Sequence, residues 1–394
     1  MSVYLDHAAT TPVHPAVADA MAEQLGRVGN ASSLHTAGRA ARRVVEESRE
    51  RLAAALVCRP SEIVFTSGGT ESDNLAITGV YRARRDEDPR RRRLLVSAIE
   101  HHAVLDCVEA LVAREGAEVV WLPCDAAGFV SVDAAREAIE EAPESVALVS
   151  MMWANNEVGT VQDVAALAAL AREHGIPMHT DAVQAVGHLP VDVTASGVDL
   201  LSLTAHKVGG PVGVGGLVVK RDRPVVPIVY GGGQERQIRS GTLDTVGILG
   251  LSLAVERAVA EQPAEAIRLA ALRDALIAGA CAASSGITPG GVWRPGDTSS
   301  RLPGNAHLLV EGCEGDSLLY LLDAAGIECS TGSACQAGVP QPSHVLLAMG
   351  LSDNAARGAL RLTLGHPSTR ADVDAVVAAL PAAVERARRA AGVA

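Results

Sequence analysis

Three short segments carry residues whose types and order could do chemistry together. The first is Thr66-Ser67-Gly68-Gly69-Thr70-Glu71, which follows an apolar run and opens a helical one. Glycines let backbone approach an anion, a helix N-terminus offers free N–H groups, and Thr70 adds a hydroxyl, so the segment can cradle a phosphate. It lacks the lysine of a nucleoside-triphosphate loop and the spacing of a dinucleotide fingerprint. The second segment, His179-Thr180-Asp181-Ala182-Val183-Gln184, places Asp181 at the end of an apolar strand, where α/β proteins bind ligands. The third, Ser202-Leu203-Thr204-Ala205-His206-Lys207, ends another apolar strand on a lysine before a Gly-Gly-Pro turn.

That lysine stands out by count. The chain has 34 Lys plus Arg, of which only Lys207 and Lys220 are lysines. A surface charge survives replacement by arginine; a nucleophilic amine does not, because guanidinium stays protonated. Taken singly, the three segments also read as a strand-to-helix turn, a helix N-cap and a surface lysine. Taken in order they supply a phosphate cradle, an acid for a pyridine nitrogen and an amine for an aldehyde. Those are the needs of pyridoxal 5'-phosphate (PLP).

The elements that must position these residues alternate. Strand candidates are Ile63–Thr66, 94–98, Glu118–Leu122, 146–151, 177–181, Leu200–Thr204 and 216–219. Helix candidates between them are 39–56, 72–83, 103–115, Val132–Glu141 and 164–174. Each strand reads as continuously apolar, as a sheet covered on both faces requires. The expected fold is α/β: a large domain with a mostly parallel central sheet, plus a smaller α+β domain. The expected division is an N-terminal segment, 1–13, associated with the small domain, a large domain at 14–255 and the small domain at 256–394.

Composition narrows the function classes. The net charge of -12 disfavours nucleic acid, which needs clustered positive charge. The one basic block, 90–93, reads as a solvated loop. Seven cysteines at irregular spacing, with no C-x-x-C pair, fit reduced thiols and no metal site. With no leader and no bilayer-spanning apolar run, a cytoplasmic protein without membrane contact is expected.

Over essentially its full length the chain resembles the class V aminotransferase family, and within it the cysteine desulfurases. The resemblance is carried by Tyr4-Leu5-Asp6-His7-Ala8-Ala9-Thr10-Thr11-Pro12, Ser32-Ser33-Leu34-His35, Gly68-Gly69-Thr70-Glu71-Ser72, Glu100-His101 and Asn155-Asn156-Glu157-Val158-Gly159. It continues through the Asp181 and Lys207 segments to Arg239-Ser240-Gly241-Thr242-Leu243, Gly332-Ser333-Ala334-Cys335 and Arg361-Leu362-Thr363-Leu364-Gly365. The resemblance implies the PLP fold type I, with Lys207 as the Schiff-base lysine and Asp181 against the pyridinium nitrogen. It implies Gln184 on the cofactor's phenolic oxygen and His101 stacked on the ring, where it can move protons. Gly69, Thr70, Thr204 and His206 would hold the phosphate. Thr242 would reach the cofactor phosphate of a partner subunit, which implies a homodimer. Asn156 and Arg361 would position the substrate, L-cysteine, with Arg361 forking onto its carboxylate.

Cys335 selects the reaction. It lies in a segment rich in Gly, Ser and Pro, where a cysteine is better explained as a nucleophile than as core. By resemblance its thiolate takes the sulfur of PLP-bound cysteine, releases alanine and passes the persulfide to a sulfur-acceptor or scaffold protein, as in iron–sulfur cluster assembly. A selenocysteine lyase or an aminotransferase on the same scaffold is the alternative. Three departures from the family pattern stand out. Ala31 replaces a common proline. Ala205 in Thr204-Ala205-His206 replaces glycine and is expected to crowd the phosphate. Cys329 stands where an aliphatic residue is usual, as an apolar filler or a resolving thiol.

Overall fold

The apolar runs pair into a seven-stranded sheet, seen in a computed structural model that describes residues 2–332 and 341–392. Its order is Ile63–Thr66, Gly215–Val219, Leu200–Thr204, Met178–Asp181, Val146–Ser150, Arg93–Ser97, Glu118–Leu122. Gly215–Val219 runs antiparallel to both neighbours, and the other four pairings are parallel. Successive side chains serve opposite faces. Val64, Leu94, Val96, Leu148 and Leu217 enter one apolar cluster, while Phe65, Leu95, Val149 and Val218 enter the other. The outer strand Glu118–Leu122 departs from the expected continuous burial: Glu118 and Trp121 are exposed, whereas the opposite edge strand, Ile63–Thr66, is buried throughout.

The 39-residue helix Thr245–Ala283 extends roughly 58 Å at 1.5 Å per residue. Its first half packs Ile248, Leu251 and Val255 into the large cluster, and its second half packs Leu269, Leu276 and Ile277 into a separate one. That second cluster is built on an antiparallel sheet ordered Ala359–Thr363, Asn305–Val310, Ile287–Pro289, with helices Gly315–Asp323 and Arg370–Ala390 against it. The start of the chain joins it. Val3–Tyr4 pairs in parallel with Ile327–Glu328, Leu5 is fully buried in the cluster, and Thr363 N–H donates to Leu5 O at 2.7 Å. This docking carries Asp6, Ala8 and Ala9 to the carboxyl edge of the large sheet.

The basic block is a solvated loop through 92, with Arg90 and Arg92 exposed, and it is tethered at its end. Arg93 begins a strand, Arg91 Nη1 donates to Val146 O at 3.0 Å, and Arg92 and Arg93 pair with Glu118 and Glu141 at 2.6 and 3.0 Å. Helix Pro15–Leu25 and strands Ile287–Pro289 and Ala359–Thr363 are elements the sequence reading did not name. Among the described residues no helix is long and apolar enough to cross a membrane, and no cluster of three or more His, Cys, Asp or Glu could hold a metal.

Candidate active site

The carboxyl ends of Ile63–Thr66, Met178–Asp181 and Leu200–Thr204 open on one cavity of about 440 Å³. Of the residues singled out from sequence, Gly69, Thr70, His101, Asn156 and Asp181 line it, as do Gln184, Thr204, His206, Lys207 and Arg361. Thr242 is exposed and does not line it. Cys335 lies outside the described residues.

At one end, helix Gly69–Glu87 begins after Gly68, which caps it with no side chain and holds a φ of 153° that favours glycine. The first N–H groups of this helix therefore remain available to an anion. Gly69 has no room for a side chain: a Cβ there would meet Val183 Cγ2 at 2.8 Å. Glu71 fastens the turn by accepting from Ser67 N–H at 2.6 Å and from Arg239 Nε at 2.8 Å. Burial alone would raise the Glu71 carboxyl, but Arg239 and Ser67 outweigh it and hold it below the usual range. Ala205 does not crowd this end. It is off the cavity wall, and its methyl packs toward Gly210.

The floor is acidic. Asp181 accepts from Val183 N–H at 2.8 Å, and no Lys or Arg lies within ion-pair distance of it among the described residues. Burial, with the charge of Asp73 adding to it, pushes the Asp181 carboxyl up to about 7. A cationic ring nitrogen would reverse that shift by supplying the missing opposite charge.

Lys207 follows Leu200–Thr204 on a single 3-10 turn. Burial, followed by the positive charge of Arg361, lowers its ammonium to about 8. Its Nζ donates to Ala8 O and, at 2.6 Å, to Ala9 O. Gln184 Nε2 donates to the same Ala8 O at 3.0 Å. His101 caps helix His102–Glu115, its Nδ1 accepting from Ala103 N–H at 3.1 Å. Burial and then Lys207 push this imidazole down to about 4, so it is neutral with its proton on Nε2. Its ring is exposed, but into the cavity.

Arg361, in the middle of Ala359–Thr363, enters from the second cluster. Nη2 pairs with Asp6 Oδ1 at 2.8 Å, Nη1 donates to Asn156 O at 3.1 Å, and the buried Nε has no partner. A guanidinium with donors to spare at a cavity wall can take a carboxylate. Cys329 packs against the second cluster, and burial pushes its thiol up to about 12, which makes it a poor nucleophile.

Sequence reasoning missed Ala8, Ala9, Asp73, Val183 and Ser330 as wall residues. Asp73 had a signal, since it sits four residues after Gly69 and so on the same helix face. Ala8 and Ala9 fall within the Tyr4–Pro12 segment, but their residue type carries no signal, because their contribution is a backbone carbonyl.

These groups fit PLP: an unfilled glycine cradle for its phosphate, a buried acid without a cation for its ring nitrogen, and an amine near neutrality for its aldehyde. The fold and cavity define a PLP-dependent enzyme of fold type I. A family profile described as "Aminotransferase class-V" matches residues 3–376. The "IscS-like cysteine desulfurase" of Mycobacterium tuberculosis is 57% identical over 388 residues, covering 98% of each chain. A solved structure titled "NIFS-LIKE PROTEIN" superposes with a TM-score of 0.87 at 34% identity, covering 98% of this chain and 99% of that one. Another, titled "SspA in complex with cysteine", gives 0.76 at 35% identity, covering 92% and 99%. The chain belongs to the class-V aminotransferase family, on its cysteine desulfurase branch.

Proposed function

We propose that this chain desulfurates L-cysteine with Lys207, Asp181 and His101 at the cofactor, Arg361 and Asn156 on the substrate and Cys335 as the sulfur acceptor. The observation that carries the reading is the convergence of Lys207, Asp181 and Arg361 on one cavity from two separate apolar clusters. When bound, PLP supplies an aldehyde for amines and a ring that withdraws electrons from the substrate's α-carbon.

The protein's residues divide the remaining work. Gly69, Thr70, Thr204 and His206 would hold the phosphate, Asp181 would keep the ring nitrogen protonated, and Gln184 would serve the phenolic oxygen. Lys207, with its ammonium lowered to about 8, gives up its proton far more readily than an ordinary lysine and can give or take a proton at the α-carbon. The carbonyls of Ala8 and Ala9 hold its charged form in place. His101 presents Nε2–H over the site as a neutral donor. Arg361 fixes the substrate carboxylate and thereby its α-carbon. The Cys335 thiolate attacks the substrate sulfur. An S–S bond forms, the C–S bond breaks, and the carbon takes up a proton, so L-cysteine and a thiol become L-alanine and a persulfide.

The test is turnover of L-cysteine by purified protein. Alanine without a keto acid is expected, with a persulfide on Cys335 found by mass spectrometry. Cys335→Ala should abolish the persulfide and multiple turnover. Undiminished cysteine turnover by that variant would remove Cys335 from the reaction and favour a lyase of the selenocysteine type.

The finer assignments follow the same reading. Thr242 is exposed away from its own cavity, and Leu25, Val28 and Leu34 are largely exposed within ten residues of one another, which supports a homodimer that completes each phosphate site. Two separate apolar clusters support a division near residue 255, with 1–13 joining the smaller domain. A reducing cytoplasmic setting, and a sulfur-acceptor or scaffold protein that removes the persulfide, complete the proposal.

A further inference from the structure

Two buried carboxylates lie under the cavity where a ring nitrogen needs one. Asp73, on helix Gly69–Glu87, lines the same cavity as Asp181, and the two residues are 1% and 6% exposed. No Lys or Arg lies within ion-pair distance of Asp73 among the described residues, and its Oδ1 has no hydrogen-bond partner. The nearest base is His179 Nε2, at 3.5 Å from Oδ1. That imidazole is buried between two hydroxyls, with Ser150 Oγ at 2.9 Å from Nδ1 and Ser202 Oγ at 3.0 Å from Nε2. Burial pushes it down to about 4, so it offers Asp73 no positive charge.

The other titratable groups facing the pair do not balance it. Glu100 lies below the wall and accepts from Ser97 Oγ and Met152 N–H; burial pushes it up to about 8, which keeps it protonated. Cys107, from helix His102–Glu115, faces Asp73 and is held as a thiol by burial. His101 is neutral, and Lys207 gives its donors to Ala8 and Ala9. Two carboxylates in such a site do not both ionise; they titrate as a pair. Each carboxylate has one donor: the fixed backbone N–H of Val183 for Asp181, and for Asp73 the Ser202 hydroxyl, which also serves His179 Nε2 and so holds Asp73 less firmly; Asp181 is therefore the better anion.

We propose that Asp73 and Asp181 share one proton in the cofactor-free protein and that PLP uptake displaces it, with Asp73 a positioning residue that sets the proton count and Asp181 the carboxylate that stays ionised against the ring. The proton passes to solvent, and the ring nitrogen supplies the positive charge that replaces it.

The test is calorimetric titration of full-length apoprotein with PLP from about pH 6 to about pH 8.5, in two buffers of different ionisation enthalpy, for the wild type and Asp73→Asn. Protons contributed by Lys207 and by PLP are common to both proteins and cancel in the comparison. In a window around neutrality the wild type should release up to about one more proton per site than the variant, because Asp181 beside a neutral amide already ionises at lower pH. Equal proton counts at every pH, with both proteins binding, overturn the proposal. Infrared difference spectra of the wild type decide it independently of any variant. Protonated Glu100 is common to both states and cancels in the difference, so a negative protonated-carboxyl carbonyl band is expected on PLP addition and its absence is the overturning result. The inference rests on the cofactor reading, whose failure would instead show as no binding heat in the wild type.

Discussion

Replacing Lys207 by methionine in the cofactor-free protein should stabilise the fold near neutral pH by an amount that disappears in alkali. The folded protein holds this amine at about 8, against its ordinary 10.5, because burial and the nearby Arg361 oppose the charge more than Asp6 and Asp181 favour it. That gap corresponds to about 3 kcal/mol. Between those two values the unfolded chain binds a proton that the folded one does not, so wild-type stability rises with pH across the interval. Below about 8 both states are charged and the full penalty stands. Above 10.5 neither is, and it is gone. Methionine has no such term. Its advantage over the wild type should therefore fall by roughly 2–3 kcal/mol between about pH 7 and about pH 10. The lost hydrogen bonds to Ala8 and Ala9 subtract a constant of about 1 kcal/mol each and do not affect this difference. Urea unfolding of both apoproteins at the two pH values, followed by far-ultraviolet circular dichroism, measures it. A stability difference that stays constant to within about 0.5 kcal/mol refutes the claim that burial lowers this amine.

Three further outcomes follow from the geometry. Arg361→Lys keeps a charge but loses the planar fork, so KM for L-cysteine should rise about 10- to 100-fold with a smaller change in kcat, measured by alanine formation. Asp6→Asn leaves Arg361 without its 2.8 Å counter-ion until substrate arrives; KM should fall a few-fold while Tm of the apoprotein drops, and an unchanged KM would mean that Asp6 does not compete for the fork. Gly69→Ala forces a Cβ to within 2.8 Å of Val183 Cγ2, an overpacking of about 1–3 kcal/mol that should loosen PLP retention on dialysis, and adding Val183→Ala should restore it.

Much of the large sheet was legible because its strands are short apolar runs separated by amphipathic helices. Ile63–Thr66, Leu200–Thr204 and Val132–Glu141 fall where the pattern puts them. The antiparallel direction of Gly215–Val219 was not legible, since an apolar run has no arrow and only its pairing with Ile63–Thr66 and Leu200–Thr204 sets one. Strand Ala359–Thr363 was passed over as an element because Arg361 interrupts its apolar character. The arginine is tolerated there because Asp6 and Asn156 meet it from elsewhere in the chain. The block 90–93 is a solvated loop through 92, as its charge suggests, but its charge did not show that Arg91, Arg92 and Arg93 also reach Val146, Glu118 and Glu141.

The sequence by itself determined which chemistry was available: a scarce lysine, an acid at a strand end, a glycine-rich helix start and a cysteine in a Gly/Ser/Pro segment. Those are properties of residue type and local order, and they survive without coordinates. Tertiary structure alone decided that Asp6 meets Arg361 across 355 residues, that the carbonyls of Ala8 and Ala9 hold Lys207, and that Asp73 and Asp181 line one cavity with no Lys or Arg paired to either among the described residues. It also decided the charge state of each group. Desolvation and Coulomb energy depend on burial and on distances through space, and neither is written in the order of the chain.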